Sequence, residues 1–438
     1  MHRSSLPLRF GALASVFGLA AAAGAGQPST AADSAGPPAA WRPFSEDSPW
    51  NQRVAPGAAV DPESAALIAD LASRGPWYVN IKDWSIPVYF VDADRTPRRD
   101  VGDSRPGVHG AGFDFPRRIP IPDDAVASPP VGPDSDNHLC VVDQGRHLEW
   151  GMWAARRDAA GRWWTGLGAV TDLAGTGVAP PWFASPREFD SHRARASGFP
   201  LIAGLIRRDE IRAGRIGHAL VFAYDHCRSG FFIPPASTAQ VTRPEITNAR
   251  GIPMGGRIQL DPGWDVEHSG LSATGKIIAR ALQEYGAYCG DFAGANVLYA
   301  ENSPAAVRAW EGVLRSEELA AVFTPDMIRR HFRLLAMGNV LPGQNLEVPP
   351  PYILTIVVDR ETAPARIDQL TRTIVLHPPA AGRARAHWTL FPRGTRVRTA
   401  GYAIEGGAGE LDWKQPAPLV LTAPDGRTST WTVVISGR

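Results

Sequence analysis

Two periods of hydrophobic and polar residues run along this chain. In DPESAALIADLAS, Ala66, Leu67, Ile68 and Leu71 recur at helical spacing behind an acidic first turn, which predicts the first helix. WYVNI and IPVYFV read as strands. Residues 94–135 are rich in Pro, Asp, Gly and Arg with little periodicity, the pattern of a long binding loop or lid. The strand NHLCVVDQ follows. A helix at Arg207–Ala213 leads through Gly214 into the strand RIGHALVFAYDH, and RIQLDP is another short strand. SATGKIIARALQEYG carries the clearest helical signal. Ser272 can cap it, Ile277, Ile278, Ala281, Leu282 and Tyr285 form one stripe, and Gly286 can end it. AYCGDF and NVLYAE read as strands, and residues 304–336 as largely helical.

LPGQNLEVPPP, residues 341–351, has the composition of a linker. Beyond it, ILTIVVD, ARAHWTLFP, APLVLTAP and TSTWTVVI are short strands separated by turn signals such as Asp425-Gly426. Trp431, Val433 and Ile435 alternate with polar residues, as a half-buried strand requires. The expected architecture is a β-rich α+β main domain (a sheet or sandwich with a few helices) over 41–340. An all-β sandwich over 352–438 follows it. LTAPDGRTSTWTVVI resembles the last hairpin of cadherin-like or immunoglobulin-like modules of exported bacterial proteins. That resemblance implies an accessory extracellular module and no activity. The phrases PFSEDSPWN, GLIRRDEIRAGRIGHAL and ARALQEYGAY resemble uncharacterised exported bacterial proteins, which implies no function either.

The first residues change where the chain is expected to work. Arg3 and Arg9, an apolar run from Phe10 and the small-residue pattern Ala23-Gly24-Ala25 read as a secretory signal peptide over 1–25. The run is too short and too rich in Ala and Gly for a comfortable membrane span. GQPSTAADSAGPPAA, residues 26–40, reads as a linker. The expected location is therefore secreted or periplasmic, with no membrane span. Net charge is +1, from 45 basic and 44 acidic residues, so electrostatic capture of nucleic acid is not expected. Cys140, Cys227 and Cys289 are too few and too scattered for a disulfide framework or a zinc site. Export permits one bridge, Cys227–Cys289, which would leave Cys140 a buried thiol.

The candidate chemistry centres on RHLEWGMWAARRDAAGRWWTG, with four tryptophans and one glutamate around an obvious turn at Asp158-Ala159-Ala160-Gly161. If Arg157 pairs with Arg162, one face carries His147, Glu149, Gly151, Trp153, Trp164, Gly166 and Gly168. The other carries Leu148, Trp150, Met152, Ala154, Trp163, Thr165 and Leu167. The second face suits a core. The first offers two indoles for stacking on sugar rings beside a carboxylate. A one-residue slip would spoil this pattern, and the plain alternative is a hairpin buried on both faces with Glu149 paired.

Asp143, Asp172 and Asp291 sit at ends of other predicted strands, where aspartates are common for turn reasons alone. With Glu149 they supply the raw material of a carboxylate pair for glycoside cleavage. His218 is either a satisfied core histidine or an acid–base group at the cleft wall. His138 and Asp143 fall on opposite faces of their strand, and there is no HExxH, CxxC or DxDxDG, so no metal site is expected. GxSxG, a P-loop and a dinucleotide fingerprint are also absent, and no cofactor is expected.

A lyase acting on uronates would instead use a base such as His218, Tyr285 or Tyr288 with nearby arginines. The leading expectation is a monomeric exported enzyme that hydrolyses a polysaccharide or cell-envelope glycan. Its candidate catalytic residues are Glu149, Asp143, Asp172, His218 and Asp291, with Trp153, Trp164, His147 and Tyr288 binding substrate. The alternatives are elimination, and a cell-surface protein that binds carbohydrate without cleaving it.

Overall fold

A computed structural model describes residues 41–104, 118–130, 135–184, 193–239, 251–343, 351–369, 371–379, 383–399, 402–404, 407–412, 414 and 416–436. The expected signal peptide and first linker, residues 1–40, therefore lie outside the described residues, as do 105–117 and 131–134 of the irregular segment. The chain is β-rich, with 34% strand against 12% helix. Among the described residues no helix is long and apolar enough to cross a membrane.

The central sheet has six strands in the order Trp77–Asn80, Asn296–Tyr299, Leu220–Ala223, Ala287–Asp291, Arg257–Leu260 and Phe332–Leu334. Leu220–Ala223 pairs in parallel with Ala287–Asp291 and antiparallel with Asn296–Tyr299. Its four residues are all buried, which fits a strand covered on both faces and explains its unbroken apolar run. The helices Ser64–Ser73 and Ala273–Glu284 pack against this sheet. Ser272 caps the second, its side chain accepting from Gly275 N, and Gly286 follows its end at φ +69°. The expected strand RIGHALVFAYDH is shorter than its apolar pattern: it begins at Leu220, so His218 lies outside the sheet. Residues 304–336 hold two short helices, Pro304–Trp310 and Pro325–His331, before the strand Phe332–Leu334.

Two small sheets share a second core. One runs Val88–Phe90, Leu139–Asp143, Leu148–Trp153, Leu167–Asp172; the other Arg118–Pro120, Arg98–Asp103, Trp163–Thr165, Arg156–Arg157. Val101, Ile119, Val141, Trp150, Met152 and Trp163 fill the core. Segment 94–135 thus contributes two strands to a sheet, where a structureless loop was expected. The pairs Arg98↔Pro120 and Val101↔Trp163 supply the order that its sequence pattern lacks.

Residues 352–435 form a three-stranded and a six-stranded sheet around a core that includes Trp431, Trp388, Ile374 and Leu421. The contacts do not divide this part from the rest, because Gly36–Arg438 is one compact unit. Leu341–Pro342, expected in a linker, pairs with Phe231 and Phe232. Tyr352 and Leu354 belong to the main core, and Arg366 ion-pairs with Glu63 at 3.1 Å.

Candidate functional site

The tryptophan hairpin closes in a different register from the expected one. Asp158 N donates to Arg162 O at 2.9 Å, enclosing a three-residue loop that ends on Gly161 at φ +79°. Arg157 therefore pairs with Trp163 and Arg156 with Trp164, one residue away from an Arg157–Arg162 pairing. The pleat also breaks at Ala154, where φ is +52° and the amide turns to Asp136 O at 2.7 Å. Trp150 and Trp163 still enter the core, but Trp153 and Trp164 end on different sheets. Trp164 Nε1 donates to Asp158 Oδ2 at 2.9 Å within the hairpin's own turn. Trp153 Nε1 donates to Asp136 Oδ1 at 3.0 Å, so the two indoles do not make one platform.

Several expected site residues stand apart from one another, each in its own local surroundings. Asp143 is buried and accepts from Ala93 N and Arg146 N at 2.8 and 2.9 Å, tying two turns together. Asp172 is exposed and accepts from Ala174 N. His147 is exposed in a turn at φ +54°, off the strand face on which it was expected. Tyr288 is 5% exposed and packs edge-on against Trp50. His218 lies 3.1 Å from Glu210, which also ion-pairs with Arg207 at 2.8 Å. Burial alone would push Glu210 up, but the charges of His218 and Arg207 overcome it and hold the carboxyl at about 2.

Glu149, Asp291 and Trp153 are different. Segment 193–202 lies over the face of Leu148–Trp153 that carries Glu149, with Leu201 N and Ile202 N donating to Glu149 at 2.8 and 3.1 Å. Gly151 leaves room for this: a Cβ there would stand 2.8 Å from Glu149 Oε1 and 3.4 Å from Leu201 Cγ. Burial pushes Glu149 up to about 7, against those two hydrogen bonds and the Arg193 and Arg195 charges. The same segment reaches the end of Ala287–Asp291, where Ser197 N donates to Gly290 O at 3.3 Å. Asp291 accepts from Phe292 N at 3.0 Å and from Ala196 N. Burial, reinforced by the charge of Asp136, pushes Asp291 up to about 7 while Arg195 opposes.

Arg195 sits beneath this group at 2% exposure, its guanidinium 4.5 Å over the Tyr299 ring. Nη2 reaches Leu201 O at 3.4 Å, and Nε and Nη1 have no hydrogen-bond partner among the described residues. His138 Nε2 is 3.2 Å from Ala194 O, which can only accept, so that nitrogen carries the hydrogen. Burial pushes His138 down to about 4, which keeps it neutral at neutral pH. Asp136, Trp153, Ala196 and Asp291 are half-buried and form the accessible side of the cluster. Among the described residues no three His, Cys, Asp or Glu side chains converge as metal ligands. The adjacent Asn137 lines a separate groove of about 810 Å³ with Val126, Ala155, Trp163 and Val307, whose walls are mostly apolar.

The cluster places Asp291, whose carboxyl burial raises to about 7, near the Asp136 carboxyl and the Trp153 indole that it holds. Sequence reading identified Asp291, Glu149 and Trp153 but missed Asp136, Arg195 and Tyr299. Asp136 stands one residue beyond the segment read as irregular, and no periodic signal marks Arg195. No protein-family model, curated protein or solved structure matches the chain.

Proposed function

We propose that this chain is an exported glycan-cleaving enzyme in which Asp291 donates a proton to the leaving oxygen and Asp136 acts as its partner carboxyl. Trp153, fixed by Asp136, would stack on a sugar ring beside them. The observation that carries this is the approach of two half-buried carboxyls, Asp291 raised by burial and Asp136 holding the Trp153 indole, since glycoside cleavage needs a carboxyl that keeps its proton beside a second one. Glu149 is shielded by Leu201 and Ile202 and has no path to a bulky substrate, so it supports the site from below. The enzyme would work as a secreted or periplasmic monomer. Its β-rich main part would carry the chemistry and an immunoglobulin-like sandwich from residue 352 would be accessory. The parallel pairing of Thr373–Leu376 with the terminal strand Thr428–Ile435 supports that last assignment.

Hydrolysis is favoured over elimination because His218, Tyr285 and Tyr288, the expected bases, are all buried. The test is incubation of the purified protein with neutral and uronate-containing polysaccharides, read by reducing ends and by ultraviolet absorbance of unsaturated products. Reducing ends without absorbance, lost by about a hundredfold or more in Asp291→Asn, are the expected result. Activity should also fall as pH rises through about 7, where Asp291 loses its proton. Absorbance would mean elimination. Binding that survives in Asp291→Asn, with no cleavage by either form, would leave a carbohydrate-binding protein.

A further inference from the structure

Behind the candidate carboxylate, two thiols meet. Cys289 lies on Ala287–Asp291, two residues before Asp291, and Cys227 follows the neighbouring strand Leu220–Ala223. Their Sγ atoms are 3.3 Å apart, closer than two sulfur atoms sit in ordinary van der Waals contact. Both residues are buried. Cys227 Sγ also lies 3.2 Å from Tyr224 O and 3.2 Å from Asp291 O. Thiols are weak donors, so those carbonyls lose little if the protons leave. Cys140, the third cysteine, is buried on another strand beside Glu149 and has no sulfur partner.

We propose that Cys227 and Cys289 form a disulfide that ties the turn after Leu220–Ala223 to the strand end carrying Asp291. The oxidant is an external disulfide, either a small molecule or a dithiol oxidase of an exporting compartment. One cysteine thiolate attacks a sulfur of that disulfide, forming a mixed disulfide and releasing one thiol. The second cysteine sulfur then displaces the other thiol. The pair loses two protons and two electrons, and the external disulfide becomes two thiols. Burial keeps the Cys289 thiol protonated in the closed fold, so the exchange belongs to folding, before the pair is enclosed. The bridge closes a sequence separation of 62, a long loop whose entropy is removed from the unfolded chain.

The test counts thiols and needs no substrate, so its outcome is separate from that of glycan cleavage. The full chain is refolded with oxidised and reduced glutathione, denatured in acid and alkylated with or without prior reduction. One alkylated cysteine without reduction, three after it and a cross-linked peptide joining 227 to 289 are expected. Cys140→Ser should give none and two. Reduction should lower the melting temperature by about 5 °C, a drop absent from Cys227→Ser. If that variant fails to fold, the count on the unaltered chain decides alone. Three alkylated cysteines after oxidative refolding would overturn the bridge, and so would a cross-link to Cys140.

Discussion

Replacing Glu149 by Gln should flatten the dependence of stability on pH. Glu149 is 1% exposed, and burial raises its carboxyl from 4.5 to about 7. A carboxyl raised in the folded state supports the fold fully below about pH 4.5, and that support is lost as pH rises through about 7. Each pKa unit is worth about 1.4 kcal/mol. With those two values, ionisation of Glu149 alone removes about 2–3 kcal/mol of stability between pH 5 and pH 8. Gln has nearly the same shape and stands in for the protonated acid. One oxygen still accepts from Leu201 N or Ile202 N, and any offset from the other contact is the same at both pH values. The assay is urea unfolding followed by tryptophan fluorescence, since Trp150 neighbours Glu149 on its strand. The stability difference between pH 5 and pH 8 should shrink by about 2–3 kcal/mol in the variant. Equal differences in the two proteins would mean that Glu149 ionises as freely folded as unfolded. The desolvated pocket inferred around it would then be wrong.

Other substitutions test the frame around the site. Trp431→Ala removes a side chain with no exposed surface from the core of residues 352–435 and should cost about 3–5 kcal/mol, read as a drop in the urea midpoint. Gly204 has φ +65°, and a Cβ there would meet Val221 N at 2.5 Å and Leu220 C at 2.7 Å. Gly204→Ala should therefore displace segment 193–204 from the central sheet, detected as faster hydrogen exchange at Leu201 and Ile202. Ser272→Ala removes the side-chain acceptor for Gly275 N and should cost about 1 kcal/mol in thermal unfolding, with no change at the carboxylate cluster.

Local pattern was legible wherever neighbouring residues decide the structure. The strand Thr428–Ile435, the capped helix Ala273–Glu284 and the turn at Asp158–Gly161 all follow from period, cap and glycine placement. The hairpin register was not, because a loop of three residues and one of four use the same sequence here. Choosing between them moves every indole by one position. The strand Arg98–Asp103 was hidden for another reason. Its order comes from Arg118–Pro120 on one side and Trp163–Thr165 on the other, so no pattern within its own residues announces it. The surroundings of His218 were hidden too: Glu210, on the short helix Arg208–Arg212, lies 3.1 Å from it and ion-pairs with Arg207, a contact that the sequence of the helix does not announce.

The raised carboxyls of Glu149 and Asp291 also come from long-range placement. Arg195 lies within electrostatic reach of Glu149, Asp291 and His138, yet it ion-pairs with neither carboxylate. Its guanidinium is stacked on Tyr299 and turned toward Leu201 O. A direct ion pair would offset the desolvation of its partner and restore an ordinary acid. Held off, the cation only moderates the shift, and both carboxyls keep protons near neutrality. Segment 193–202 produces this arrangement. It supplies Arg195, the Leu201 and Ile202 amides that fix Glu149, and the Ala196 amide that fixes Asp291. It also joins the tryptophan strand to the central sheet. The chemical character of the site thus depends on a stretch with no helix or strand of its own, whose shape is set by the two sheets it bridges.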